Sequence, residues 1–217
     1  MTTLRDLDRL VKARRLLSHP FYTAWTAGTL PVATLREYAG QYYHFEVNFP
    51  RYVAAAYARL ERPSERSVLL ENLVDEEGRS PTHPELWQAF ARAIGAPRPG
   101  PSTPCTPGTR QLLQAYEEET LGGDAASALG ALYAYESQFP EVAAEKSRGL
   151  RANYGYRSAS AHEFFRVHTV ADVAHSQAER SLLASHLRRH PSAGPSAIRG
   201  VQRSARAWWK FLDSFAL

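Results

Sequence analysis

SAHEFFRVHTVADVAHSQAERSLLASHLRR, Ser160–Arg189, decides the fold class, because its apolar residues recur at helical rather than alternating spacing. Phe164, Phe165, Val167 and Val170 make it core-like, and Ser160 with Glu163 matches a capping box at its start. Within it, His168, Asp172 and His175 stand at offsets of four and seven residues. Seven residues at ~100° each complete almost two turns, so the three side chains share one face. Two imidazoles and a carboxylate so arranged are half of a site for iron, manganese or zinc. The same spacing also suits a polar surface stripe, and a mononuclear site is equally compatible with it.

The rest of the chain carries the same period between its Pro and Gly breaks. An amphipathic helix is predicted from about Leu4 to Ser18, a short one around Phe21 to Ala27, closed by Gly28, and a long one from Pro31 to about Arg62 with a kink at Pro50. Ser64 is placed to cap a helix ending at Gly78, and Thr82 and Pro84 begin the next. Pro97, Pro99, Pro101, Pro104 and Pro107 make 96–108 a loop. Helices then follow near Thr109–Leu121, Asp124–Leu150 with Asp124 as its cap, Ser160–Arg189 and Ser196–Phe215. The expected architecture is all-α, a single domain over 1–217 built as a bundle of about seven or eight helices.

Composition narrows the function classes. The apolar share of 44% and charged share of 22% are those of a globular domain with a substantial core. The net charge of +4 is scattered, with no arginine stripe interleaved with exposed aromatics, so no nucleic-acid partner is expected. No apolar run approaches the ~18 residues of a membrane span, so no membrane partner is expected either. The start MTTLRDLDRL lacks a signal-peptide core and Cys105 has no partner cysteine, which together suggest a cytoplasmic protein. Of 26 basic residues only Lys12, Lys146 and Lys210 are lysines. A lysine kept in so arginine-rich a chain draws notice, because only lysine can lose its proton on burial and act chemically.

Two further segments offer ligands. Glu76 and His83 flank Gly78 and Pro81, so they belong to the end of one helix and the start of the next. A metal would pin that junction; an acidic helix end beside a surface histidine is the plainer alternative. Glu136 lies among Ala131, Leu132, Ala134 and Phe139, where a carboxylate is costly to bury unless paired or metal-bound. Three histidines and three carboxylates on separate helices match the ligand count of a carboxylate-bridged metal pair. The Glu-x-x-His repeat of ferritin-like bundles is absent.

Several stretches carry a resemblance along nearly the whole chain. They are HPFYTAW (19–25), QYYHFEVNFPRYVAA (41–55), LLENLVDEEG (69–78), HPELWQAF (83–90), ALYAYESQFPEVAAEKSRGL (131–150), HTVADVAHSQAE (168–179) and FLDSF (211–215). Together they resemble the heme-oxygenase-like di-iron oxidases, in the branch of the chlamydial protein associating with death domains. The resemblance implies a heme-oxygenase-like bundle, similar to TenA and pyrroloquinoline-quinone synthase. It implies Glu76, His83, Glu136, His168, Asp172 and His175 as metal ligands, holding two iron ions or one manganese and one iron. It further implies dioxygen and an external reductant as co-substrates, a homodimer, and synthesis of 4-aminobenzoate for folate by a chorismate-independent, self-sacrificing route. Tyr22 would then be the ring donor, Lys146 the amino donor and Tyr135 a radical relay.

The residues alone leave alternatives open. Tyr22 also reads as a core aromatic and Lys146 as a solvated helix residue, while Tyr43, His44 and Glu46 could equally line a cavity. Tyr135 and Lys146 would be separated by ~16 Å on a straight helix, so a bend at Pro140 or an inward reach is needed. A di-iron oxidase of a free amine, amino acid or fatty acid is a second reading. A metal-free helical interaction module is a third. A cofactor-free relative acting on thiamin or quinone precursors would not need the full ligand set.

Overall fold

A computed structural model describes residues 2–217, with the side chains of residues 171 and 172 lying outside that description. The chain forms α1 Leu4–Lys12, α2 Pro20–Ala27, α3 Val32–Ala58, α4 Pro63–Glu77, α5 His83–Ala93, α6 Pro107–Thr120, α7 Ala125–Glu136, α8 Phe139–Asn153, α9 Glu163–Arg189 and α10 Gly194–Asp213. Short 3-10 turns occupy Leu16–Ser18, Ala159–Ala161 and Pro191–Ala193, and no strand occurs among the described residues. The all-helical expectation therefore holds, with ten helices rather than seven or eight.

One helix is added by a break within an expected one. The single helix expected over Asp124–Leu150 breaks at Ser137 and Gln138, and Pro140 falls in the first turn of α8, where a missing N–H costs nothing. Gln138 fixes the break: its Nε2 donates to Ala134 O at 2.8 Å and its Oε1 accepts from Leu16 N at 2.8 Å. Asp124 caps α7 as expected, accepting from Ser127 N at 2.8 Å. Thr82 and Glu85 form a capping box that starts α5 at His83.

Two expected caps do not form. Ser160 lies in a 3-10 turn and α9 starts only at Glu163, because the imidazole of His162 is tied to Ser147 Oγ and Tyr156 O, each at 2.8 Å. Ser64 sits inside the first turn of α4, which opens at Pro63. Helix α3 continues through Pro50 and ends at Ala58, short of Arg62.

Helix α7 is the axis of the molecule, with every residue from Ala126 to Glu136 buried. Its small side chains allow α10 to approach closely: a Cβ at Gly130 would stand 2.5 Å from Ala197 O. The remaining core is aromatic, with the Tyr42 and Trp87 rings tilted at 36° and 4.2 Å between centroids, and Trp87 edge-on to Phe164 at 4.7 Å. These rings from α3, α5 and α9 enclose the space into which the polar residues of α4, α7, α8 and α9 project.

Candidate metal centre and lysine pocket

On α8 the residues Phe139, Val142, Ala143, Lys146, Gly149 and Leu150 follow the three-and-four spacing of a helix face turned to the core. Lys146 thus occupies a core position and is 1% exposed. Its Nζ is surrounded by ring faces, with centroids at 4.7 Å for Tyr42, 5.0 Å for Tyr38, 5.2 Å for Tyr22 and 5.3 Å for Phe139. Nζ donates to Tyr38 Oη at 2.7 Å, and that oxygen lies 3.0 Å from Tyr22 Oη. Burial lowers the amine's proton affinity well below the ordinary lysine range, opposed in part by the nearby charge of Glu46. Burial likewise raises the Tyr22, Tyr38 and Tyr42 phenols, so all three are neutral near pH 7.

Tyr135 enters from the end of α7. Its ring stacks on Trp208 at 5.0 Å with a 9° interplanar angle, and its hydroxyl is paired with that of Tyr42. Tyr42 in turn faces the amine, so a contiguous run of phenols and one amine links Tyr135, Tyr42, Lys146, Tyr38 and Tyr22. The break between α7 and α8 removes the straight-helix separation that the sequence implied for Tyr135 and Lys146.

The ligand candidates gather beside this pocket. His83 Nδ1 is 2.9 Å from Glu76 Oε2, joining the end of α4 to the start of α5. The His83 ring lies 4.3 Å from that of His168. His168 Nδ1 donates to Phe164 O at 2.7 Å, which leaves Nε2 as the lone-pair nitrogen. Burial, then the neighbouring His83, keeps His168 neutral. Glu136 Oε1 accepts from Asn72 Nδ2 at 2.8 Å, and the same amide reaches Glu179 Oε1 at 3.3 Å. His175 Nε2 is 2.9 Å from Asp75 Oδ2, and Asp75 is held by Arg79 at 2.6 Å. Asp172 lies outside the described residues.

Four residues of this constellation are missing from the sequence-derived ligand set: Glu46, Asn72, Asp75 and Glu179. Glu179 stands eleven residues after His168 on the same helical stripe, so extending the period one turn would have found it. Glu46 Oε1 lies 4.0 Å from His168 Nε2, and ligand atoms of Glu46, His83 and His168 fall within 4.8 Å of one another. Its helix, α3, buries residues on several sides, which hides a ligand face from periodicity.

The donor set fits divalent metal. Glu46, Glu76, Glu136 and Glu179 are each no more than 3% exposed, among His83 and His168. Burying carboxylates together costs several kcal/mol per ion unless positive charge accompanies them. In the metal-free chain, burial and then the charge of Glu136 push the Glu76 carboxyl well above its ordinary range. Carboxylate oxygen with imidazole nitrogen is the chemistry of borderline first-row metals rather than of a thiolate-seeking one.

Comparison with known proteins agrees with this donor chemistry. The chain is 36% identical to a 4-aminobenzoate synthase of Nitrosomonas europaea over 222 residues, spanning 98% of this chain and 90% of that one. It is 32% identical to a 4-aminobenzoate synthase of Chlamydia trachomatis, over 99% of this chain and 92% of that one. A solved TenA homologue from Pseudomonas syringae superposes with a TM-score of 0.83 at 18% identity, covering 96% of this chain and 90% of that one. The family model described as "Iron-containing redox enzyme" matches residues 36–209. With a heme-oxygenase-like, TenA-like helical fold and full-length relatives above 30% identity, the chain belongs to the family of iron-containing redox enzymes.

Proposed function

We propose that the chain makes 4-aminobenzoate from its own residues in an oxygen-dependent reaction, with Tyr22 as ring donor and Lys146 as nitrogen donor. The observation that carries this reading is the position of the Lys146 amine, 5.2 Å from the centroid of the Tyr22 ring with both residues inside the core. The full-length likeness to two 4-aminobenzoate synthases supports the same product.

Glu76, His83, Glu136, His168, Asp172 and His175 would hold two metal ions, iron in both positions or manganese beside iron. Bound there, such a pair supplies the activation of dioxygen, with an external reductant, that oxidation of a phenol requires. The remaining work falls to the protein. Burial lowers the proton affinity of the Lys146 amine, which favours its unprotonated, nucleophilic form. Tyr38, bonded to both Lys146 Nζ and the Tyr22 phenol, fixes the two donors relative to one another and offers a path for a proton between them. Tyr135, hydroxyl to hydroxyl with Tyr42 and stacked on Trp208, is suited to pass an oxidising equivalent from the Glu136 side toward the pocket. The enclosing rings of Trp25, Trp87 and Phe139 exclude water from the reacting groups.

Complementation tests the assignment. The wild type should rescue an aminobenzoate auxotroph, while Tyr22→Phe and Lys146→Arg, both expressed and folded by circular dichroism, should not. Rescue by Lys146→Arg equal to that of the wild type would rule out Lys146 as the nitrogen source.

A further inference from the structure

Glu46 occupies a position that the six-ligand set does not explain. It is a carboxylate on α3, 3% exposed, and its ligand atom joins those of two histidines within 4.8 Å. The separation of Glu46 Oε1 from His168 Nε2, 4.0 Å, is too long for a hydrogen bond. Two atoms bound to one ion at ~2.0–2.2 Å each stand roughly 3–4 Å apart, so the spacing suits two ligands of a shared metal. His168 already spends Nδ1 on the Phe164 carbonyl, which aims Nε2 at that point. His83 Nδ1 lies 2.9 Å from Glu76 Oε2, a contact that fixes the orientation of the ring and leaves Nε2 for the site.

We propose that Glu46 is a further metal ligand, completing with His83 and His168 a two-histidine, one-carboxylate triad drawn from α3, α5 and α9. Such a triad leaves coordination positions open, the arrangement of non-haem ferrous oxygenases. Glu46 follows Tyr38 and Tyr42 at four-residue spacing on α3, and those two rings face the Lys146 amine, so this metal is the one on the pocket side of the pair. Of the six ligands proposed above, Glu76, Glu136, Asp172 and His175 are then left for the second position. This inference rests on the two-metal reading above and adds to it which metal faces the donors.

The test is anaerobic titration of the full chain with ferrous iron, and separately with cobalt(II) as a spectroscopic probe, in the wild type, Glu46→Gln and Glu46→Ala. The wild type should take up two metal equivalents, and both variants should lose one or bind it at least ~10-fold more weakly, with a changed cobalt ligand-field spectrum. Glu46→Gln keeps the side chain's shape, and the circular dichroism of both metal-free variants should match the wild type. Two equivalents bound by Glu46→Gln with unchanged affinity and spectrum would overturn the ligand assignment, leaving the two-metal reading intact. A wild type that takes up neither metal would overturn both. Unchanged metal uptake with a less stable metal-free Glu46→Gln would instead make Glu46 a counter-ion for Lys146, and would likewise overturn the assignment.

Discussion

Lys146 is the residue whose environment departs furthest from its ordinary preference. An amine 1% exposed among aromatic rings has lowered proton affinity, so between that lowered value and the unfolded value near ~10.4 the native chain binds fewer protons than the unfolded one. Stability therefore rises with pH across that window, and the burial penalty is fully present below it. Metal-free Lys146→Met should accordingly melt above the wild type at pH 7, by about 2–4 °C for each 1 kcal/mol relieved, with the gap closing as pH approaches ~10. Thermal melts across that range check it; a gap that widened with pH would show the amine to be charged in the native state. The burial of this residue was poorly legible from its neighbours, Glu145 and Ser147, which suggest a solvated turn. The signal lay instead in its register with Val142, Ala143, Gly149 and Leu150. Glu46 was less legible still, since nothing local distinguishes it from the other polar residues of α3.

At the scale of elements, the stripe of α9 was readable because one helix fixes its own geometry, and His168 and His175 lie buried as the period implied. The junction of Glu76 and His83 was readable as a junction, but the contact between them depends on how α4 meets α5. The division of Asp124–Leu150 into two helices was not readable, because Gln138 is fixed by a partner over a hundred residues away, at Leu16. The close pairing of α7 with α10 yields a prediction of its own. Replacing Gly130 by Ala gains up to ~1 kcal/mol of helix propensity. The new Cβ would stand 2.5 Å from the Ala197 carbonyl oxygen, a backbone atom that cannot turn aside. Overpacking costs typically ~1–3 kcal/mol, so Gly130→Ala should be net destabilising, read as a lower urea midpoint with unchanged slope. A midpoint at or above that of the wild type would mean that α10 yields easily.

Across the whole molecule, buried carboxylates and imidazoles from α3, α4, α5, α7 and α9 converge on one region, so metal binding should stabilise the fold as a unit. At free metal 100-fold above Kd the gain is about 2.7 kcal/mol per site, which in a chain of this size amounts to roughly 5–11 °C in Tm. Calorimetry with and without anaerobic ferrous iron checks it, and Glu136→Ala should remove the share of the shift that belongs to its site. An equal shift in that variant would remove Glu136 from the site. The same convergence explains why family resemblance carried further than spacing. Each helix shows its own periodicity, whereas the meeting of five helices at one point is a property of their packing.

If the product's atoms come from the protein, the chain must lose mass as it forms, which intact-mass spectrometry of the metal-loaded chain before and after exposure to reductant and dioxygen reads. The expected result is 4-aminobenzoate approaching but not exceeding one molecule per chain, with a matching mass loss that maps to Tyr22 and Lys146. Repeated turnover by a chain of unchanged mass would contradict it.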